Sequence, residues 1–84
     1  MFICSTSSYR SFKPVIFTGA SEEEVLSAVF NCWYDELLTY QDMDPETSEQ
    51  FNRFSQFAEE TELNRYSLEQ LLNQIGIGFS MVEV

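Results

Sequence analysis

The segment at residues 21–40, SEEEVLSAVFNCWYDELLTY, predicts one long helix on which the rest of the chain packs. Ser21 and Glu24 form a capping-box pattern, in which the serine hydroxyl accepts from the Glu24 amide and the glutamate accepts from the Ser21 amide. The apolar residues that share one broad arc at 100° per residue are Val25, Leu26, Val29, Phe30, Cys32, Trp33, Leu37 and Tyr40. We therefore expect a helix over about 22–40 with this arc turned toward the core.

A second helix is predicted directly after the first. Asp44 suits the N-cap and Pro45 the first position of a helix over about 45–60. Apolar side chains on one face of it are Phe51, Phe54, Phe57 and Ala58. Three phenylalanines at this spacing are typical of a core face.

A short third helix follows the second. Ser67 with Gln70 predicts another capping box, with Tyr66 and Leu71 as its hydrophobic staple. The buried stripe expected on this helix consists of Leu68, Leu71, Leu72 and Ile75. Gly76 is expected to end the helix as its C′ residue.

Strands are predicted at both ends of the chain. Residues near 2–6 and 14–18 and the segment 77–84 are rich in β-branched and aromatic residues, and a loop is expected at 7–13. The last strand has no proline and one charge, which suits an exposed edge poorly, so we expect it to pair with an N-terminal strand. The order β-β-α-α-α-β predicts a single α+β domain over 1–84, with three helices packed on a two- to three-stranded antiparallel sheet.

The charge of the chain is strongly negative. It has 14 acids, four bases and no histidine, with a formal net charge of −10. Residues 1–20 contain Arg10 and Lys13 and no acid, so residues 21–84 sum to −12. With 44% hydrophobic residues the chain is expected to fold, and no apolar run is long enough for a membrane span. Direct nucleic-acid binding is disfavoured because phosphate contacts need lysine and arginine.

No catalytic, cofactor or metal motif stands out. Cys4 and Cys32 form no CxxC pair, and with no histidine they lack a zinc partner and a general base. The alternating acids at 42–46 resemble the start of a calcium loop, but Thr47 and Arg53 stand where that loop needs glycine and glutamate. We therefore expect no enzyme activity, no cofactor and no metal, and two free thiols favour a reduced, cytoplasmic location.

The acids are grouped along the predicted helices and connections, which suggests a surface for a positively charged partner. The acidic residues we expect to bind such a partner are Glu23, Glu24, Asp35, Asp42, Asp44, Glu46, Glu49, Glu59, Glu60 and Glu62. On one face these carboxylates would contact the arginine and lysine side chains that normally hold phosphates.

In size, acidity, missing histidine and mixed small fold, the chain resembles phage-encoded inhibitors such as anti-CRISPR and DNA-mimicking anti-restriction proteins. Acidic immunity proteins that block nuclease toxins are similar on the same grounds. The resemblance covers whole-chain composition and element order and carries no diagnostic motif. It implies a stoichiometric inhibitor, in the cytoplasm of a host cell, of a basic nucleic-acid-binding protein such as a CRISPR effector, restriction enzyme or nuclease.

A second interpretation uses apolar surface instead of charge. Tyr34 and Leu38 lie four residues apart on the polar side of the first helix, where they suggest a contact point for a partner. The alternative is that a third helix covers them. In this interpretation the chain is a non-catalytic adaptor or subunit, and a homodimer also stays open.

Overall fold

The computed structural model describes residues 1–8 and 14–84. The elements are β1 Phe2–Ser8, β2 Val15–Gly19, α1 Glu22–Tyr40, α2 Pro45–Glu60, α3 Arg65–Gln74 and β3 Ile77–Glu83. This order and the antiparallel sheet confirm the predicted α+β class. Most of the expected loop at 7–13, with Arg10 and Lys13, lies outside the described residues, and β1 continues through Ser8.

β1 is the central strand of a three-stranded sheet with order β2-β1-β3. It pairs antiparallel on both sides, with Cys4 opposite Phe17 on β2 and Met81 on β3. Since side chains alternate along a strand, one face of β1 points to the helices and buries Cys4 and Thr6 completely. The prediction that the last strand pairs with an N-terminal strand is confirmed, but this pairing still leaves β3 at an edge of the sheet.

α1 lies across β1 and β2 and forms the centre of the helical layer. Its residues Val25, Val29 and Trp33 are buried, and the Trp33 indole Nε1–H donates to the Thr6 hydroxyl at 3.2 Å within the core. The Ser21 cap is confirmed, because its hydroxyl accepts from the Glu24 amide at 3.2 Å. The second half of the predicted capping box is displaced by one residue.

In place of the Ser21 amide, the Glu24 carboxylate accepts from the Ala20 amide at 3.0 Å. Gly19 permits this close approach because it has no side chain. A Cβ at this position would lie 2.9 Å from the Val25 side chain and 3.3 Å from the Glu24 Cβ. Glycine therefore lets the chain leave β2 and enter α1 at close range.

α2 returns antiparallel along α1, as three aromatic contacts establish. Phe30 stacks on Phe54 and Phe57 with ring centroids 5.4 and 5.7 Å apart, and Tyr34 lies 5.2 Å from Phe51. Residues later in α1 thus meet residues earlier in α2. The predicted N-cap is confirmed, with the Asp44 carboxylate accepting from the Thr47 amide at 2.7 Å.

The predicted start of α3 is wrong by three residues. The N-cap is Asn64, whose side chain accepts from the Ser67 amide at 2.9 Å, while the Ser67 hydroxyl accepts from the Asn64 amide at 3.0 Å. Ser67 is therefore the third helical residue of the box, and Gln70 takes no part in it. Tyr66 is 73% exposed, so the predicted staple does not form.

The end of α3 agrees with prediction. Ile75 is its C-cap, and Gly76 follows with φ 78°, a left-handed conformation that glycine adopts without strain. α3 covers β3, while α2 contacts α1 and α3 but no strand in the described part of the chain. The core cluster therefore lies between the sheet and the α1–α3 layer, with the aromatic α1–α2 seam above it.

Candidate functional site

All ten predicted carboxylate residues are exposed in the structure. Nine of them lie on α1, α2 or the connection between these helices, and Glu62 lies just after α2. We call residues 22–62 the acidic hairpin. It holds twelve of the 14 acids and one of the four bases, a net charge of −11.

The antiparallel course of α1 and α2 divides these acids into two groups. Glu23, Glu24, Glu59, Glu60 and Glu62 share the end where α1 begins and α2 finishes, and we call them the open-end group. The opposite end is the helix–helix turn, where the turn group consists of Asp35, Asp42, Asp44, Glu46 and Glu49.

The middle of the hairpin contains no acid, since residues 25–34 and 50–58 lack Asp and Glu. A helix of 19 residues is about 28 Å long, so the two groups mark opposite ends of an extended surface. The acids therefore lie on one pair of helices, α1 and α2, but they form two separate patches.

Several of these carboxylates already have partners. Asp44 caps α2, Glu49 pairs with Arg53 at 3.0 Å, and Glu60 accepts from the Gln56 amide group at 3.1 Å. Glu24 is held by the Ala20 amide. Each of them has a structural task besides any contact with a partner.

Other acids have no such task within residues 1–8 and 14–84. No hydrogen bond or ion pair to that part of the chain holds the carboxylates of Glu23, Asp42, Glu59 or Glu62. The same holds for Asp35, whose backbone carbonyl alone accepts a hydrogen bond. These five side chains are the ones most readily available to a cationic partner, and they include members of both groups.

The two residues of the predicted apolar contact point, Tyr34 and Leu38, differ in their exposure. Tyr34 is half-buried against Phe51 and Phe30, so the helix that covers it is α2, where the alternative expected a third helix. Leu38 is 45% exposed, and Met43 in the turn is 73% exposed. The exposed large apolar side chains of the hairpin therefore lie at its turn end, beside the turn group of acids.

Two features of the surface had no signal in the sequence. Arg65 at the start of α3 contacts Glu22 at 3.4 Å, an ion pair between residues 43 positions apart. A groove of about 570 Å³ also runs between α2 and α3, with Phe57 and Leu71 in its lining beside several glutamines. Arg53 in this groove is already paired with Glu49, so it offers no uncompensated cation to an anionic ligand.

Burial raises the pKa of the Cys4 thiol, with a smaller opposing effect of Arg65. The pKa of Cys32 is raised by burial and then by the nearby Glu36 and Asp35 carboxylates. Both environments disfavour the thiolate, which is the nucleophilic form. Within the described residues no group of three His, Cys, Asp or Glu side chains is placed to hold a metal ion.

Comparison of the chain with protein-family models, curated proteins and solved structures finds no match. Among the described helices, none combines the length and the apolar character needed to cross a membrane.

Proposed function

We propose that this chain is a stoichiometric protein inhibitor whose acidic hairpin occupies the basic nucleic-acid-binding groove of a partner. The observation that carries the proposal is the concentration of charge: a net −11 on residues 22–62, with exposed carboxylates at both ends of an antiparallel helix pair. Such a protein acts by binding, and no step of catalysis is required of it.

The geometry of the hairpin supports this mode of binding. Side-chain carboxylates form charge-assisted hydrogen bonds with arginine and lysine, as phosphate oxygens do. A groove that holds a nucleic-acid backbone presents such cations along its length, and the two acidic groups are spaced along a hairpin about 28 Å long. The unpaired carboxylates Glu59, Glu62 and Asp42 would make first contact, and electrostatic steering would make association fast and salt-sensitive.

The class of partner follows from this chemistry. It is a basic nucleic-acid enzyme or complex, such as a CRISPR effector, a restriction enzyme or a nuclease, encountered in the cytoplasm of a host cell. The nearly neutral sheet and α3 would face away from the groove.

The test is capture from a lysate of the native host, with three conditions that the captured protein must meet. It must bind nucleic acid, it must be released by duplex DNA or RNA, and its capture must fall as salt is raised. A Glu59→Lys/Glu60→Lys variant should lose capture, because the lysines replace carboxylates of the open-end group while complementing the C-terminal dipole of α2.

A matched control makes the same change of charge elsewhere. Glu69→Lys/Glu83→Lys alters two acids outside the hairpin and should leave capture intact. Circular dichroism of both variants checks that each remains folded. If both variants bind equally well, or if the captured protein resists competition by nucleic acid, the proposal fails.

A second function is favoured by the exposed apolar residues at the turn end. Leu38 and Met43, beside the turn group of acids, would serve as apolar anchors for an adaptor that docks onto a neutral partner. Capture that survives high salt, ignores the lysine variant and falls with Leu38→Ala would select this function. Tyr34→Ala is a poor test of it, because that ring belongs to the α1–α2 seam.

A further inference from the structure

In residues 1–8 and 14–84 no strand pairs with the outer edge of β3, and the hydrogen bonds at its end define which groups point outward. The Met1 amine donates to the Val84 carbonyl at 3.2 Å, and the Val84 amide donates to the Met1 carbonyl at 2.7 Å. In an antiparallel ladder hydrogen-bonded pairs alternate with non-hydrogen-bonded ones. In the recorded register Val82, Ser80 and Gly78 therefore bond to β1.

The remaining residues of β3 direct their backbone groups away from the sheet. They are Ile77, Phe79, Met81 and Glu83. Phe79, Met81 and Glu83 are partly or largely exposed, whereas Ile77 is 4% exposed, so the accessible part of the edge is residues 79–83. By the same alternation, β2 presents only Ile16 and Thr18 at the opposite edge. Within residues 1–8 and 14–84, no backbone hydrogen bond outside the sheet involves these four residues of β3.

β3 lacks the usual protection of an edge strand. Proteins commonly shorten such strands, insert proline or a bulge, or place charges along them. β3 is seven residues long, its register with β1 is continuous, and its one charged side chain is Glu83 at the last position. Phe79 and Met81, which point to the helical layer, are only half-buried, so the apolar layer is open at this edge.

The charge around this edge favours a second copy of the chain as the occupant. Residues 63–84 carry one base and two acids, a net −1, against −11 on the acidic hairpin. Two copies that meet at β3 come together through this nearly neutral edge, with α1 of each copy lying over β1 and β2 of its own sheet. Contact through any surface of the hairpin would instead bring the like charges together.

We propose that β3 pairs antiparallel with β3 of a second copy about a two-fold axis at Ser80, forming a continuous six-stranded sheet. In this register all seven residues pair, and each outward-pointing residue meets another outward-pointing residue. Phe79 lies opposite Met81 of the second copy, and Ile77 lies opposite Glu83. The two Phe79–Met81 pairs contribute four backbone hydrogen bonds at the centre of the ladder, and the two Ile77–Glu83 pairs at its ends can add four more.

The side chains suit this register. On the helical side, Phe79 and Met81 of the two copies close the open end of the apolar layer, with sulfur–aromatic contacts. On the other side, Val82, which is 54% exposed, covers Gly78 of the second copy. The two Glu83 carboxylates lie six positions apart along the ladder, about 20 Å, so the strand's own charge does not oppose pairing.

The register is tested by disulfide trapping in a Cys32→Ser background, which leaves only the buried Cys4 thiol. Ser80 lies at the two-fold axis, opposite Ser80 of the second copy. The two form a non-hydrogen-bonded pair, in which the Cα atoms are about 4.5 Å apart. A disulfide spans about 4.4–6.8 Å, so Ser80→Cys should form a covalent dimer of twice 9.8 kDa under mild oxidation.

Val82→Cys is the matched control for the register. In the proposed dimer the two residues at this position are four positions apart along the ladder, about 13 Å, so no disulfide should form. Equal trapping of both variants, or trapping of neither, overturns the proposed register and axis.

Sedimentation of the unmodified chain tests the association itself. Met81→Pro removes an outward N–H of β3 without removing a hydrogen bond to β1, and this variant should not form the dimer. Ile16→Pro removes an outward N–H at the β2 edge in the same way, and this variant should still form the dimer. Salt should strengthen the dimer by screening repulsion. A monomer at every concentration and salt, or equal effects of the two prolines, refutes the proposal. A failure of the dimer does not affect the proposed inhibitor function. That function is tested separately, by capture of a nucleic-acid-binding protein that weakens as salt is raised.

Discussion

The acidic hairpin and the remainder of the fold, which we call the sheet half (β1, β2, α3 and β3), use different means of stabilisation and carry very different charge. The hairpin is joined along an aromatic seam and holds a net −11. The described residues of the sheet half hold one base and two acids, and α3 contributes a core of leucines. Both halves thus contribute to the core, but the negative charge is concentrated in one of them. This separation of charge allows one half to meet a cationic partner while the other half offers a nearly neutral edge.

The largest effect should come from breaking the seam. Phe54 has no exposed surface and stacks on Phe30, so Phe54→Ala should cost about 3–5 kcal/mol of unfolding free energy through the cavity it leaves. This is a large fraction of the stability of a small domain. Urea unfolding followed by circular dichroism measures it.

Phe57→Ala is the control for that measurement. Its ring also stacks on Phe30 but is only half-buried, so its removal should cost clearly less. If both substitutions cost the same, Phe54 is not the centre of the seam.

The next effect concerns the bond between the two halves. Trp33 on α1 donates to Thr6 on β1 in the core, and Thr6→Val would leave the indole N–H buried without an acceptor. The expected cost is about 1–3 kcal/mol, although the shape of the side chain is nearly unchanged. Trp33, the single tryptophan, also reports the change through its fluorescence during urea unfolding.

Thr6→Ser is the informative control, because it keeps the hydroxyl acceptor and removes only a methyl group. It should restore the native fluorescence even if the lost methyl lowers the stability. Loss of the same fluorescence signature in both variants would mean that packing, and not the hydrogen bond, links α1 to β1.

The sequence predicted the hairpin better than the sheet half. Helix bounds at 22–40 and 45–60 followed from local patterns, namely the caps Ser21 and Asp44 and the spacing of apolar residues. The exposure of the acids followed from the same periodicity. Their division between two ends did not, since it depends on how α1 and α2 cross, which only contacts such as Tyr34–Phe51 define.

The start of α3 and the order of the strands were harder for different reasons. Asn64 and Ser67 lie three positions apart, and both residue types are common N-caps. In the structure Asn64 is the N-cap and Ser67 is the third residue of the helix, whereas the sequence pattern assigned the N-cap to Ser67. Strand order is set by pairing between residues far apart in sequence, such as Cys4 with Met81. The composition of β3 predicted a partner strand, but it did not predict that the other side of β3 has no partner strand in the described part of the chain.

The boundary of α3 supplies a third test, with a smaller effect. Asn64→Ala removes the acceptor for the Ser67 amide and should cost about 1 kcal/mol. Gln70→Ala changes the residue that the sequence pattern assigned to the box, which is exposed and makes no capping bond, so its effect should be close to zero. Urea unfolding of both variants compares them. Equal costs would return the N-cap to Ser67.

The smallest effect concerns the two arginines, which neutralise acids in different places. Arg53 pairs with Glu49 within α2 of the hairpin, whereas Arg65 pairs with Glu22 and so connects the sheet half to the hairpin. These side chains are about half exposed or more, and exposed pairs are worth about 0–1 kcal/mol. Arg53→Met and Arg65→Met should therefore each cost less than about 1 kcal/mol at low salt.

Salt distinguishes a pairwise effect from repulsion within the whole hairpin. At about 1 M salt the Debye length is about 3 Å, so general repulsion among the hairpin acids is screened, while contact pairs are weakened less. Arg53 is the single base among twelve acids, so its loss should be felt mainly as added repulsion and should disappear at high salt. Arg65 belongs to the sheet half, whose described residues hold only two acids, and the loss of its contact with Glu22 should retain part of its cost at high salt. Urea unfolding at both salt concentrations measures the two losses. If the two variants respond identically to salt, the negative charge of the hairpin acts on the sheet half as strongly as on the hairpin itself. The uneven distribution of charge between the two halves would then have no effect on stability.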